Sequence, residues 1–324
     1  MTNVLVGIDL GGTSCKIAFL NSEGIIIKKW QIPTIIENNG RQIIPDILSS
    51  ISEKMSEEEI SKESIVGIGM GTPGVVDREY GTVSGAYNLN WVETQEVKAI
   101  FSEKFSAPFY LENDANVAAL GEKWLGAGDN LKNVVFVTIG TGVGGGIIVN
   151  DQLVTGEYGC GGEIGHLHVT DNPNFKCTCG KIGCLESIAS ATGIVKLAKY
   201  LAEERNSDSE LIAAINQQRN ITSKDIFNFA KNGDAFSIEV VYEFSNYLGI
   251  ACSHITNILN PSKIVIGGGV AMAGNYLLNE IQKAYEKYVF PKAKDDKTLV
   301  LATLLNDAGV VGAAYLAKVG IIYK

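Results

Sequence analysis

The chain reads as an α/β protein built from two related halves, and three observations carry that reading. Short apolar runs alternate with segments of helical spacing along 324 residues. A strand, a glycine turn and a second strand occur together twice, at 4–20 and again at 134–149, and a further apolar run at 263–266 opens into a third glycine turn. Alternating strands and helices make sheets covered by helices. A unit that recurs in both halves predicts two related domains facing each other across a cleft, and the length allows for both.

The elements follow in order. Residues 4–9 are apolar up to Asp9 and are followed by Gly11, Gly12 and Thr13, a buried strand opening into a turn. Residues 16–20 and 25–31 continue as strands, with 21–24 as the hairpin turn. Ile43, Ile44, Ile47, Leu48 and Ile51 recur at helical spacing within 41–55. The charged stretch 56–64 is a solvated loop, and 65–70 returns to a strand. A strand at 109–112 leads to Asn113 and Asp114, which cap a helix reaching about residue 125. The second half opens with a strand at 134–139, the turn Gly140, Thr141, Gly142, and a strand at 147–149. Beyond residue 193 the chain is largely helical. One long amphipathic helix spans 235–259 and stops at Asn260 and Pro261, because proline cannot continue a helix. The strand 263–266 opens into Gly267, Gly268 and Gly269, and 307–319 forms a closing helix. The expected division is a smaller domain, 1–112 with 307–324, and a larger one, 113–306.

Charged residues make up 19% and hydrophobic ones 46%, the balance of an ordinary soluble globular protein. A net charge of −9 excludes nucleic acid as the main partner, since a phosphate backbone demands a basic face. No apolar run approaches the length of a membrane span, and the opening MTNVLVGIDLGG lacks the basic region of a signal peptide. A cytoplasmic location is expected. Of six cysteines, Cys15, Cys160 and Cys252 are scattered and read as buried free thiols, which fits a reducing compartment.

The other three cysteines are concentrated. GEIGHLHV is followed by CTCGKIGCLE, so His166 precedes Cys177, Cys179 and Cys184 at short spacing. One imidazole and three thiolates satisfy a closed tetrahedral zinc site. Glu163 and Glu186 flank the cluster and point to a second ligand beside the metal. His168, two positions after His166, faces the opposite way in an extended chain and is not a ligand. His254, in the long helix, reads as a packing residue.

The segments 69–74 and 140–145 both match G-x-G-x-x-G after a strand. Neither opens a helix, and a dinucleotide site needs a helix N-terminus at that point. The glycine turns serve another purpose. Gly11–Gly12–Thr13, Gly140–Thr141–Gly142 and Gly267–Gly268–Gly269 each follow a buried strand, where backbone amides can approach an anion closely. Asp9 stands where it can hold Mg²⁺ through water. The three read as two phosphate turns and an adenosine turn.

Together DLGGTSCKIAF, ENDANVAALGE, IGTGVGGGI, GEIGH and CTCGKIGCLE resemble the ROK family of repressors and sugar kinases, and among its members the glucokinases of Gram-positive bacteria. The resemblance covers effectively the whole chain. It implies the actin-like ATPase (ribonuclease H-like) fold, with sugar in the cleft between two α/β domains, and glucose and ATP as the partners. The first phosphate turn begins within ten residues of the start, so the DNA-binding domain of family repressors is not expected ahead of it. A homo-oligomer, dimer or tetramer, is expected.

Residue by residue, the resemblance makes Asp114 the catalytic base. Asn113, Glu163, His166 and Glu186 become contacts to the sugar, as does Asn88 in NLNW. Ser14 stands where the family usually has lysine, and Lys16 is expected to supply that charge. His166 would give one ring nitrogen to zinc and the other to the sugar. The chemistry accords with these residue types, because a sugar hydroxyl is a weak nucleophile and needs a carboxylate to accept its proton. From its position alone, Asp114 is an ordinary helix cap. Other open readings are a kinase for fructose, mannose or an N-acetylhexosamine, and a regulator that binds sugar without turnover.

Overall fold

The computed structural model describes residues 3–203, 205, 208–295 and 297–322. In chain order the first half contains β1 (Val4–Leu10), β2 (Ser14–Leu20), β3 (Ile26–Pro33), α1 (Ile43–Glu57), β4 (Ile65–Thr72), the hairpin β5 (Val75–Asp77) and β6 (Thr82–Ser84), α2 (Val97–Lys104), β7 (Phe109–Asn113) and α3 (Asp114–Leu125). Then come β8 (Val134–Ile139), β9 (Val143–Val149), β10 (Gln152–Leu153), α4 (Leu185–Ala189), α5 (Ala191–Ala202), α6 (Glu210–Asn216) and α7 (Ser223–Lys231). The chain finishes with α8 (Ala235–Leu259), β11 (Lys263–Gly267), α9 (Asn275–Tyr288), β12 (Leu299–Leu301) and α10 (Ala308–Ile322). Among the described residues no helix is long and apolar enough to cross a membrane.

Contacts divide the chain into two units. One is Met1–Leu131 with Gly146–Gly161 and Leu304–Lys324; the other is Lys132–Gly145 with Gly162–Thr303. The boundary expected after residue 112 therefore falls inside the first unit, because α3 lies along α10 and stays with it.

The first unit carries a sheet in the order β3-β2-β1-β4-β7. β1 and β4 are parallel, β4 and β7 are parallel, and all three are apolar along most of their length, as strands covered on both faces must be. β3 alternates between half-buried and exposed positions and lies at one edge of the sheet, with β7 at the other. The register sets Asp9 beside Gly71 and Thr72 beside Asn113, so the carboxyl ends of β1, β4 and β7 form one row.

Helix α10, read as AGVVGAAYLAKVGII, is made mostly of small and branched apolar residues, and it lies very close to its neighbours. A Cβ on Gly312 would sit 1.6 Å from the Val117 carbonyl oxygen in α3, and one on Gly7 in β1 would sit 2.0 Å from the Val310 carbonyl. Both obstacles are backbone and cannot turn aside. Gly312→Ala should therefore lower stability by about 3 kcal/mol, the upper end for overpacking. Urea unfolding checks this; an unchanged midpoint would refute the close approach.

The second sheet has the order β10-β9-β8-β11-β12. In the second unit β8, β11 and β12 are mutually parallel, and Gly267 at the end of β11 pairs with Thr138 near the end of β8. The glycine turns that follow these two strands thus emerge side by side. α8 has the bounds predicted for it: the Asp234 side chain accepts the Ser237 N–H at its start, and Asn260 adopts a left-handed conformation (φ 43°) at its end. Two expectations about burial fail. Cys160 and His254 are exposed, while Cys15 and Cys252 are buried as expected. Spacing alone could not tell which side of α8 His254 takes.

Candidate active site

In the first unit the predicted residues gather at the carboxyl ends of β1 and β7. Asp9 is the penultimate residue of β1, and the Lys16 ammonium on β2 stands 3.7 Å from its carboxylate. Lys16 thus forms an ion pair with Asp9. Burial raises the pKa of Asp9, with Lys16 pulling it down and Asp114 pushing it up further. Asn88 belongs to a short 3₁₀ turn whose backbone passes close to the Gly11–Gly12–Thr13 turn; a Cβ on Gly12 would meet the Asn88 carbonyl at 3.2 Å.

Asn113 and Asp114 sit where β7 turns directly into α3. The cap of α3 is Asn113, whose Oδ1 accepts the N–H groups of Ala115 (2.9 Å) and Asn116 (3.4 Å). Its side-chain amide also hydrogen-bonds the neighbouring Asp114 carboxylate. Asp114 is the first helical residue; its Oδ1 accepts the Ala115 N–H at 2.8 Å. The capping role that position suggested for Asp114 thus falls chiefly to its neighbour. Asp114 has an exposed surface, yet the groups around it desolvate its carboxylate. That desolvation raises its pKa above the ordinary 3.8, against the lowering effect of hydrogen bonds from the Ala115 N–H and the Asn113 side chain.

Behind this turn stands a group that the sequence reading missed. Glu112, at 1% exposure, receives Arg78 through two nitrogens, Nε at 2.5 Å and Nη2 at 2.6 Å. The same carboxylate accepts the Asn113 backbone N–H at 2.7 Å and Asn116 Nδ2 at 2.9 Å. ENDAN could have flagged Glu112. Nothing in the sequence pointed to Arg78, 34 residues away.

The second unit holds the remaining residues. The ligand atoms of His166, Cys177, Cys179 and Cys184 all lie within 4.8 Å of one another. Cys177 Sγ is 3.7 Å from His166 Nδ1, and Cys179 Sγ is 3.7 Å from Cys184 Sγ. Zinc–sulfur bonds of about 2.3 Å at tetrahedral angles require edges of about 3.8 Å. The donor set therefore fits a tetrahedral zinc ion. Nδ1 of His166 faces the thiols, while Nε2 is turned to Glu163 at 3.8 Å, so the two nitrogens serve different sides. His168 stays outside the cluster, bonded to the Ile182 carbonyl and to Asp171.

Glu186 lies in the first turn of α4, two residues after Cys184, and its Oε2 accepts the Val143 N–H at 3.1 Å. A Cβ on Gly142 would be 2.1 Å from that same oxygen, so the Gly140–Thr141–Gly142 turn and the segment that follows Cys184 touch at Glu186. The turn is also tied to α5, where Thr192 Oγ1 donates to the Thr141 carbonyl. A cavity of about 360 Å³ opens here, lined by Thr141, Gly142, Cys177, Glu186, Lys176 and Lys196. The third turn packs on the end of β8: Gly268, at φ 84°, would put a Cβ 2.5 Å from the Ile139 backbone. Beside it lies a cavity of about 420 Å³ bounded by Phe227, Asn228, Lys231, Gly269, Val270 and Met272. Both glycine patterns that resemble dinucleotide sites run through strands, and neither opens a helix.

Compared with known proteins, residues 5–319 match the ROK family. The chain belongs to the ROK family. Among its relatives, the glucokinase of Halalkalibacterium halodurans is 43% identical over 97% of this chain and 94% of that protein. The solved structure of a ROK family glucokinase from Streptomyces griseus in complex with glucose and AMPPNP is 30% identical, covers 98% of this chain and all of that one, and superposes with a TM-score of 0.76. ROK proteins also include regulators, and the xylose repressor of Caldicellulosiruptor bescii is 29% identical over 95% of this chain and 76% of its own length. ROK sugar kinases have the actin-like ATPase fold, which the two sheets here share.

Proposed function

We propose that this protein is a glucokinase that transfers the γ-phosphoryl group of MgATP to the 6-hydroxyl of glucose. One observation carries the reading: Asp114 is reachable, has a raised pKa, and stands beside the β1 phosphate turn with its capping duty taken by Asn113. A base of that character accepts the hydroxyl proton as the phosphoryl group arrives. Asn88, Asn113, Glu163, His166 Nε2 and Glu186 hold the sugar hydroxyls. The amides of Gly11–Gly12–Thr13 and of Gly140–Thr141–Gly142 receive the phosphates, and Lys16 offsets their charge. Asp9 holds Mg²⁺ through water, and the ion neutralises charge on the phosphates. Adenosine takes the cavity beside Gly267–Gly268–Gly269.

Zinc at His166, Cys177, Cys179 and Cys184 has four protein ligands and hence a structural role. It fixes the loop that carries Glu186 and the ring orientation of His166. Identity to the Halalkalibacterium glucokinase favours glucose among hexoses.

A panel of sugars tests the reading. With ATP, kcat/KM for glucose should exceed that for fructose, mannose and N-acetylglucosamine by about 10-fold or more, since sites built to hydrogen-bond a hydroxyl at one position reject analogues that do not present it there. Faster turnover of another hexose would reassign the substrate. Binding of glucose without any ATP turnover would make the chain a sensor.

A further inference from the structure

We propose that Glu112, clamped by Arg78, is a positioning residue that holds Asp114 as the base; the inference rests on the reading of Asp114 given above. Glu112 ends the β7 stretch that immediately precedes Asn113 and Asp114. Its two oxygens accept four hydrogen bonds, from Arg78 Nε and Nη2, the Asn113 N–H and Asn116 Nδ2. Two of these come from the strand-to-helix turn itself, one before Asp114 and one a half-turn after it. The carboxylate therefore grips both flanks of the base without touching it.

Arg78 supplies the other side of the clamp. It follows β5, the strand reached directly from the Pro73–Gly74 turn, and it is the only described residue that pairs ionically with Glu112. A Cβ on Gly159 would lie 3.4 Å from Arg78 Nη1, so the loop around Gly159 rests on the same guanidinium. Three separate stretches of the first unit thus meet at one ion pair, buried on its Glu112 side and half-buried at Arg78.

The arrangement favours geometry over stability. Exchanging a buried ion pair for apolar side chains is often neutral or stabilising, whereas a bidentate arginine–carboxylate pair fixes orientation closely. Asn116 gives a second sign: with its Nδ2 turned to Glu112, its buried Oδ1 has no hydrogen-bond partner among the described residues. The amide is held toward Glu112 although one of its own atoms goes unsatisfied there. Small displacements of a reacting group are costly in rate, about 10²-fold for 1 Å. A residue that fixes the turn thus acts on turnover through Asp114.

The test is a double-mutant cycle on the full-length protein. Glu112→Gln keeps the volume and one acceptor but sets an NH₂ group against the arginine fork. It should lower kcat about 10- to 100-fold while glucose affinity changes by no more than about 3-fold. In an Asp114→Asn background the same change should cost about 2-fold or less, since a group acting through Asp114 has nothing left to position. An equal loss in both backgrounds, or an unchanged kcat, overturns the proposal. Arg78→Lys keeps the charge without the fork and should reduce kcat in the same direction by about 3- to 10-fold. It decides the matter if Glu112→Gln does not fold, and full activity in it would overturn the clamp. The underlying assignment fails separately: if Asp114→Asn alone retains native kcat, Asp114 is not the base and there is nothing for Glu112 to act through.

Discussion

Asp114→Asn protein is expected to fold, to bind glucose with nearly native affinity, and to turn over about 10² to 10⁴ times more slowly, the range for loss of a general base. The geometry makes this a clean substitution. α3 is capped by Asn113, and the Ala115 N–H that Asp114 receives at 2.8 Å can be accepted equally well by an asparagine Oδ1. What disappears is the ability to take a proton. The pH profile gives a second reading of the same residue. Burial raises the pKa of Asp114, so its basic form is lost as pH falls through a value above the ordinary 3.8. The acid limb of kcat/KM should stand correspondingly higher. Asp9 is also raised, so the comparison of native and variant profiles is needed to assign the limb. A variant that keeps a substantial share of native kcat would remove Asp114 from the role.

The second large effect concerns the metal. Purified protein should carry one zinc per chain by elemental analysis. Cys179→Ser should lose it, and with it about 3 kcal/mol or more of stability, since apparent binding energies at structural zinc sites far exceed that. Cys179 is the informative position because its side chain is exposed, unlike Cys177 and Cys184. If these thiols were only packing groups, this substitution would cost almost nothing. KM for glucose should rise about 10-fold at the same time, as losses in the shell supporting a site typically do, because the ion would tie His166 to the cysteine segment that leads into Glu186. Metal-free native protein that phosphorylates glucose at full rate would refute the assignment.

Much of this was legible in the sequence, for physical reasons that differ between features. β1, β8 and β11 could be read because buried parallel strands are short unbroken apolar runs, and each ends at glycine. α8 could be bounded because Asp234, Asn260 and Pro261 are local signals. The cysteine cluster was visible because three of its ligands fall within eight consecutive positions. Contacts between distant segments were not visible. Arg78 and Glu112 each read as an ordinary charge until the fold brought them together. The assignment of 146–161 to the first unit likewise depends on long-range packing that no local pattern encodes. β12 is three residues long, too short for any periodicity to register.

Helix α10 has a bearing on how the protein is made. The ribosome delivers β1, β4 and α3 early, yet the helix they fit against, with almost no clearance at Gly7 and Gly312, is translated after all of the second unit. By then the contiguous stretch Gly162–Thr303 is complete and free to collapse as a unit of its own. The order of maturation thus runs opposite to the order of synthesis. The part bearing Asp9 and Asp114 keeps an uncovered apolar face until the last helix emerges, and it is that nascent half, the first synthesised and last finished, that chaperones have longest to guard.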